Sequence, residues 1–347
     1  MVNSSSVVAP VQALRAVAAW LVVYHHYVQV FYDFKHPGRV ARLFASFGNF
    51  GVDIFFVVSG FVMYYALHTR NRSAGVFFVE RVVRIVPNYW FYTFLLVPLW
   101  PLHSLPTWPT GWTASSLIPS LFFIPVENPA THTTFPLLKV GWTLNYEMFF
   151  YATLAVCLFL VRRYAFVVVS ALLALLPVVW PKDWPGAYLL SSEMLPEFGL
   201  GIALGALYVR KLRGLRKSDV LGLLLIALAF VALVYLRFPL KRMFCAGTIV
   251  LGALLVSSRL LDNAVGRFVQ YLGDTSYSTY LSHTIILTAL LYVWQRLALP
   301  VSDLACVPLV TVLVFLVSGW SYRVIEQGSG KRVAGILAAR LLPGYAR

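Results

Sequence analysis

Long apolar stretches, separated by short polar connections, run along almost the whole chain. Ten of them approach the roughly 20 residues that a helix needs to cross a bilayer. They cover residues 7–31, 50–69, 86–100, 141–161, 164–180, 193–208, 220–236, 243–256, 277–297 and 304–324. Within them apolar and polar residues do not alternate, as they would in the strands of a membrane β-barrel. The pattern predicts an all-α fold, a polytopic transmembrane helical bundle of about ten helices.

The connections between these stretches are short, with one exception. Residues 101–140 form the longest connection, and we expect their apolar piece 117–125 to lie in the membrane interface or to dip into the membrane. The chain has no internal repeat and no low-complexity segment. We therefore predict one transmembrane domain, residues 1–326, followed by a cytoplasmic C-terminal tail, residues 327–347.

The composition supports a membrane protein. Hydrophobic residues make up 60% of the chain and charged residues 12%, against about 45–50% and about 25% in soluble domains. The net charge of +15 comes from basic residues between the apolar stretches rather than on one face. This distribution argues against a nucleic-acid-binding protein. It indicates that the basic residues set the orientation of the helices in the membrane and attract an anionic ligand. The three cysteines, Cys157, Cys245 and Cys306, have no pair spacing, so neither a disulfide nor a metal site is predicted.

Lysine and arginine are distributed unequally between alternate connections. One set, counted with the tail and the adjoining Arg323, holds 18 of the 28 basic residues, and the other set, counted with the adjoining Arg296, holds 9. Because cytoplasmic loops carry the excess, we predict that both termini are cytoplasmic and that the protein is a multi-pass protein of the cytoplasmic (inner) membrane. The first stretch lacks a preceding basic region and contains Arg15. It does not resemble a signal peptide, so we expect the first helix to be retained.

Two polar residues in that first stretch are the strongest indication of chemistry. Arg15 and His26 are eleven positions apart, which at ~100° per residue brings both to within roughly 20° of one helix face. They would lie about 16 Å apart along the axis, half the thickness of a bilayer core. The neighbouring His25 points roughly 80° away and is interpreted as a packing residue. Charged and titratable groups inside a membrane are costly, so the pattern predicts a membrane-embedded active site.

Acidic residues are predicted at the depth of His26, toward the outer side of the membrane. Asp53 or Glu147 could orient His26 as a general base for a hydroxyl group. Each residue also has a structural interpretation: Asp53 as the cap of a helix N-terminus, and His26 as a buried histidine bonded to a backbone carbonyl. Glu193 and Glu197 are interpreted mainly as interfacial residues.

A second group is basic and lies toward the predicted cytoplasmic side. Arg81 and Arg84 are three positions apart on one helix face, a spacing that suits phosphate groups, although positive-inside arginines would look the same. With Arg15 they predict a site for a polyphosphate ligand from the cytosol. His283 belongs to the stretch SYSTYLSH, and two roles fit it equally: contact with that ligand and packing between helices.

Six segments of the sequence carry a family resemblance. In chain order they are LRAVAAWLVVYHHY, GVDIFFVVSGFVM, RVVRIVPNYW, GWTLNYEMFFY, GDTSYSTYLSH and SYRVIE. In this order they resemble the acyltransferase-3 family of membrane O-acyltransferases, in its exopolysaccharide and O-antigen acetyltransferase branch. The resemblance spans residues 14–326 and implies ten helices, acyl-CoA as donor, and roles for Arg15, His26, Asp53, Arg81, Arg84, Glu147 and His283. Some relatives add a periplasmic SGNH domain, which we do not expect to be fused to this chain.

These features together predict an O-acyltransferase. It would move an acyl group, which we expect to be acetyl, from cytoplasmic acetyl-CoA to a hydroxyl group of a glycan. The glycan would be, for example, an exopolysaccharide or a lipid-linked saccharide, and we expect no metal to take part. His26 would act as general base or acyl carrier. The expected partners are the bilayer, acyl-CoA, the saccharide acceptor and polysaccharide biosynthesis machinery. Two alternatives stay open: a proton-coupled secondary transporter for an anionic substrate, which would take up protons without thioester turnover, and an export scaffold, which would do neither.

Overall fold

The structure is a computed structural model that describes residues 9–36, 38–69, 72–96, 113–127, 132–184, 186–213 and 218–329. The predicted tail beyond residue 329 lies outside the described residues. The chain divides into two compact units. Unit 1 contains Met1–Leu21, Asn49–Ala74 and Phe150–Asp274, and unit 2 contains Val22–Gly48, Gly75–Phe149 and Thr275–Arg347. The predicted limits of a single transmembrane domain stay a prediction.

The regular structure of the described residues is helical, which confirms the predicted all-α class. The helices are α1 (Ala9–Tyr32), α2 (Arg39–Phe47), α3 (Gly51–Thr69), α4 (Ala74–Leu95), α5 (Ala114–Leu121), α6 (Trp142–Leu160), α7 (Ala165–Val179), α8 (Ala187–Leu190), α9 (Leu195–Leu207), α10 (Asp219–Tyr235), α11 (Lys241–Leu255), α12 (Ala264–Asp274), α13 (Ser276–Arg296) and α14 (Asp303–Ser321). Two of them continue as π-helices, α9 into Tyr208–Leu212 and α14 into Tyr322–Ser329. Each of the ten predicted spans overlaps one of these helices.

The boundary of α4 differs from the prediction. Hydropathy placed its start at residue 86, whereas the helix begins at Ala74 and runs through Pro87. Glu80, Arg81 and Arg84 lower the local hydropathy, but charged residues do not interrupt a helix. A proline inside a helix removes one hydrogen bond, which neighbouring helices can tolerate in a membrane. Arg81 and Arg84 therefore lie within α4, whereas the sequence placed them just before the start of the helix.

Among the residues that the structure describes, four helical segments are long and apolar enough to cross a membrane: Arg39–Thr69, Lys139–Leu160, Arg162–Val179 and Asp303–Gly328. Of these, Arg162–Val179 and Asp303–Gly328 expose much of their apolar surface, as Val178 at 80% does. Exposed apolar helix surface of this kind is typical of contact with lipid. The 24 residues of α1 and the 21 of α13 are also long enough to cross, but polar side chains interrupt both. The protein is a helical membrane protein whose most polar long helices include α1 and α13.

In unit 1, glycines bring α3 and α9 into close contact. A Cβ atom at Gly60 would lie less than 3 Å from the Phe198 carbonyl oxygen, and one at Gly201 would lie equally close to the Val57 carbonyl oxygen. Small residues allow this approach between membrane helices, where packing rather than the hydrophobic effect drives association. The close contact fixes α9, with Glu197 in its first turn, against α3.

In unit 2, the C-terminal half of α1 is anchored to the start of α14. The hydroxyls of Tyr27 and Tyr32 donate to Asp303 at 2.6 and 2.7 Å, and His36 Nε2 bonds the same carboxylate at 2.7 Å. The turn after α1 places Asp33 and Phe34 at φ values of 48° and 61°, in the left-handed region. This tight turn brings His36 back to Asp303. The anchor sets the position of His26, one residue before Tyr27.

Candidate active site

His26 and His283 form a direct contact inside unit 2. Nδ1 of His26 lies 3.1 Å from Nε2 of His283, and the ring centroids are 5.0 Å apart. His283 is fully buried, whereas His26 keeps part of its surface accessible. The sequence placed His26 in the outer half of the membrane and His283 in the inner half. Counting residues from the helix ends therefore did not predict that these two side chains meet.

The hydrogen bonds assign the protons of the two rings. His283 Nδ1 lies 3.1 Å from the Thr279 carbonyl oxygen, and His26 Nδ1 lies 3.0 Å from the Val22 carbonyl oxygen. A carbonyl oxygen only accepts, so both Nδ1 atoms carry hydrogen. In the neutral rings each Nε2 then has a free lone pair, and His283 Nε2 can accept from His26 Nδ1. Within the described residues His26 Nε2 has no hydrogen-bond partner, so its lone pair is available for chemistry.

His25 faces a different neighbour. Its Nδ1 lies 3.0 Å from the carbonyl oxygen of Phe44 in α2, and its ring meets that of Phe34 at a centroid distance of 5.1 Å. It touches His26 only edge to face, at 5.2 Å between centroids. These contacts agree with the interpretation of His25 as a packing residue.

Asp53 lies in unit 1, in the first turn of α3, and is 2% exposed. Arg242, at the start of α11, holds it with two hydrogen bonds, Nε to Oδ1 at 2.8 Å and Nη2 to Oδ2. Arg242 also donates to Asn49 Oδ1 at 3.2 Å and covers the ring of Phe50. Sequence reasoning missed Arg242. Its visible signal was an arginine at the start of an apolar stretch, in KRMFC.

Glu197 completes this cluster. The sequence assigned it to the interface, but it is 2% exposed and its carboxyl group lies within electrostatic range of Asp53 and Arg242. Asp53, Glu197 and Arg242 therefore belong to one cluster of charged side chains in unit 1.

Arg15 lies in the same unit and is half-buried. Its Nη1 donates to Gln12 Oε1 at 3.1 Å, one helical turn earlier, and the Gln12 amide in turn bonds the Asp274 carboxylate. This arrangement fixes the guanidinium close to its own helix. Its predicted role as a phosphate ligand stays a prediction.

Arg84 and Glu147 lie in one neighbourhood of unit 2. Both are within electrostatic range of the Tyr277 hydroxyl, as is Glu326, and that hydroxyl donates to the Ile85 carbonyl at 2.8 Å. The sequence placed Arg84 on the inner side and Glu147 on the outer side. Arg81, one turn before Arg84, lies 3.9 Å from Glu80 at Nη2.

A buried hydrogen-bond network that the sequence did not predict lies beside Arg84. Asn88 Nδ2 donates to Ser278 at 3.1 Å, Ser321 donates to Asn88 Oδ1 at 3.1 Å, and Ser278 Oγ donates to Glu326 at 3.2 Å. Asn88 is four positions after Arg84 and shares its helix face. The network connects α4 with α13 and the end of α14, and it fixes the basic face of α4.

The structure thus groups the predicted residues by unit. His26 and His283 are in contact in unit 2, and the same unit contains Arg81, Arg84 and Glu147. Arg15 and Asp53 belong to unit 1, where Asp53 is bound by Arg242.

Comparison with known proteins adds independent information. The family model of the acyltransferase-3 domain, described as an acyltransferase domain, matches residues 10–323. The chain is 33% identical, over 257 residues, to the exopolysaccharide production protein ExoZ of Rhizobium meliloti (strain 1021), covering 70% of this chain and 78% of that protein. It is 29% identical, over 153 residues, to the acyltransferase MdmB of Streptomyces mycarofaciens, covering 43% and 39%. No solved structure matches the chain significantly.

Proposed function

Since the chain belongs to the acyltransferase-3 family, whose domain covers nearly its whole length, we propose that it moves an acetyl group from cytoplasmic acetyl-CoA to a glycan hydroxyl. That it is an acyltransferase follows from the family. The finer statement, an O-acetyltransferase of the cytoplasmic membrane with a saccharide acceptor, is the proposal. The observation that carries it is the accessible His26, with its Nδ1 occupied and its Nε2 free among the described residues.

In the proposed reaction, His26 Nε2 removes the proton of the acceptor hydroxyl. The oxygen attacks the thioester carbonyl, and the tetrahedral intermediate collapses with cleavage of the C–S bond. The CoA thiolate leaves and takes the proton back from the imidazolium, which restores neutral His26. Acetyl ester and CoA thiol are the products, so atoms and charge balance. General base catalysis of this kind contributes about 10²- to 10⁴-fold to a rate.

A second route uses the same nitrogen. Nε2 of His26 attacks the thioester itself, forms an acyl-imidazole and releases CoA, and the acceptor hydroxyl then displaces the imidazole. The two routes differ in timing. The covalent route releases CoA before the acceptor binds, up to one equivalent per protein, whereas the direct route releases none without acceptor.

Arg81 and Arg84 are the proposed ligands of the CoA phosphates. Guanidinium groups bind phosphate through two parallel hydrogen bonds, and the two residues share one face of α4. The buried network around Asn88 supports this role because it fixes that face. Arg15 as a further phosphate ligand, and Asp53 and Glu147 as catalytic residues, stay predictions.

The proposed acceptor is a glycan, such as an exopolysaccharide or a lipid-linked saccharide. The relative named as an exopolysaccharide production protein supports it, and it covers 70% of this chain. The same relative supports a place beside polysaccharide biosynthesis machinery. The cytoplasmic membrane is proposed from the distribution of basic residues in the sequence. The predicted orientation, with both termini in the cytoplasm, would present α4 to cytosolic CoA.

The deciding experiment measures CoA thiol release from acetyl-CoA by purified protein in lipid nanodiscs, with and without saccharide acceptor. We expect release that the acceptor stimulates, and a loss of at least about 100-fold in His26→Ala. His25→Ala is the matched control, since it removes the adjacent imidazole, and we expect it to retain most of the rate. Absence of acetyl-CoA binding would overturn the donor, and equal losses in both variants would overturn the role of His26.

A further inference from the structure

Histidine bases in enzymes are usually oriented by a carboxylate, and the sequence predicted Asp53 or Glu147 for this task. The group bound to His26 Nδ1 is instead the imidazole of His283, at 3.1 Å. We propose, resting on the proposed function, that His283 is the positioning residue of His26. It would select the tautomer with hydrogen on Nδ1, leave Nε2 reactive, and stabilise the imidazolium that forms when Nε2 takes a proton.

The first argument is geometric. His283 carries its own hydrogen on Nδ1, because Nδ1 faces the Thr279 carbonyl at 3.1 Å. Its Nε2 is therefore an acceptor, and it faces the Nδ1 hydrogen of His26. The opposite tautomer of His26 would place two lone pairs against each other at this contact, and it would also lose the bond to Val22. Both contacts of Nδ1 therefore favour the same tautomer.

The second argument concerns charge in the membrane. A carboxylate beside His26 would add an ionised group to an apolar surrounding, which is costly without a full set of partners. A neutral imidazole provides an acceptor without that cost. When His26 becomes protonated, its bond to His283 becomes charge-assisted, and such bonds are about twice as strong as neutral ones. The pair therefore stabilises the charged intermediate more than the resting state, which is the requirement for catalysis.

The third argument is that His283 is held rigidly. It is 0% exposed, and the ring of Tyr280 lies beside it at 5.8 Å between centroids. The Tyr280 hydroxyl donates to the Val140 carbonyl at 2.9 Å and accepts from Thr143 at 3.0 Å. These bonds fix α13 against the start of α6. A positioning residue needs such support, because small displacements of a catalytic group cost much of its effect.

The test compares His283→Gln with His283→Leu. Glutamine can present its amide oxygen where Nε2 of histidine lies, whereas leucine fills similar space without an acceptor. We expect His283→Leu to lower kcat about 10- to 100-fold, as loss of a supporting hydrogen bond typically does, with KM for acetyl-CoA unchanged within about twofold. His283→Gln should recover most of kcat. The exposed His68, at the end of α3, provides the matched control, and His68→Leu should behave as wild type.

A second readout does not depend on turnover. ¹⁵N spectra of histidine-labelled protein distinguish the two tautomers, and the His26 signal is identified by its loss in His26→Ala. We expect the share of His26 with hydrogen on Nδ1 to be highest in wild type and in His283→Gln, and to fall in His283→Leu, where only the Val22 carbonyl still favours it. If His283→Leu raised KM with kcat unchanged, or if its His26 kept the Nδ1 tautomer in the same share as wild type, the positioning role would be overturned. If wild type shows the expected tautomers but no thiol release, the proposed function fails while the positioning of His26 stands.

Discussion

Replacing Arg242 should destabilise unit 1 more than replacing its carboxylate partner. Arg242 holds the buried Asp53 through two hydrogen bonds and also lies in the field of Glu197. Arg242→Met leaves two buried carboxyl groups without a cation. Asp53→Asn leaves an acceptor for the guanidinium, and Glu197 can become its charged partner. The two variants therefore remove the same ion pair with unequal consequences.

The magnitude follows from the geometry. Charge centres about 4 Å apart interact by about 4 kcal/mol at an effective dielectric constant of about 20, and removing one partner of a buried pair costs about 3–5 kcal/mol. The Arg242 side chain is 37% exposed, and solvent screens the interaction. We therefore expect Arg242→Met to lower the free energy of unfolding by about 3 kcal/mol, the lower end of that range. Asp53→Asn should cost about 1 kcal/mol, the value of a typical hydrogen bond.

Thermal unfolding of the variants in nanodiscs measures the difference. Arg237→Met, at an exposed arginine before α11, is the matched control and should change stability by less than about 0.5 kcal/mol. In the double variant Arg242→Met/Asp53→Asn part of the loss should be regained, because one unpaired carboxylate is gone. If Arg242→Met unfolds at the same temperature as Arg237→Met, or if Asp53→Asn is the more damaging variant, this account of the cluster is wrong.

Two further variants test packing and donor binding. Gly60→Ala should destabilise the protein by about 1–3 kcal/mol because its Cβ would clash with the Phe198 carbonyl. The control is Gly199→Ala, whose Cβ would make only ordinary contacts at 3.6 Å, and it should be neutral or stabilising by up to about 1 kcal/mol. Equal melting temperatures of the two variants would contradict the close contact. Arg81→Gln should raise KM for acetyl-CoA about tenfold, with the effect shrinking at high salt. Arg163→Gln, at an exposed arginine after α6, is its control, and an unchanged KM in Arg81→Gln would remove Arg81 from the donor site.

The sequence predicted the positions of the long helices well because a membrane-crossing helix is defined by local composition. Nine of the ten predicted spans agree with the helices to within three residues wherever the structure describes their ends. The exception, α4, shows the limit of hydropathy, since Glu80, Arg81 and Arg84 lie inside a helix that the apolar pattern started later.

The contacts of the candidate site were harder to predict. His26 and His283 are 257 positions apart, and Asp53 and Arg242 are 189 apart. A single sequence has no local signal for contacts over such separations, because they depend on how the helices pack. Depth counted from helix ends assigned Glu147 and Arg84 to opposite sides, whereas both lie within electrostatic range of the Tyr277 hydroxyl.

All three cysteines of the chain are buried thiols, at 5%, 3% and 0% exposure for Cys157, Cys245 and Cys306. The native protein should therefore react slowly with membrane-impermeant maleimides, and it offers a background on which a single introduced thiol reports sidedness. Lys35→Cys, after α1, should be labelled from outside intact cells. Tyr164→Cys, between α6 and α7, should react only after the membrane is opened. The reverse pattern would place the termini outside, and it would turn α4 and its arginines away from cytosolic CoA.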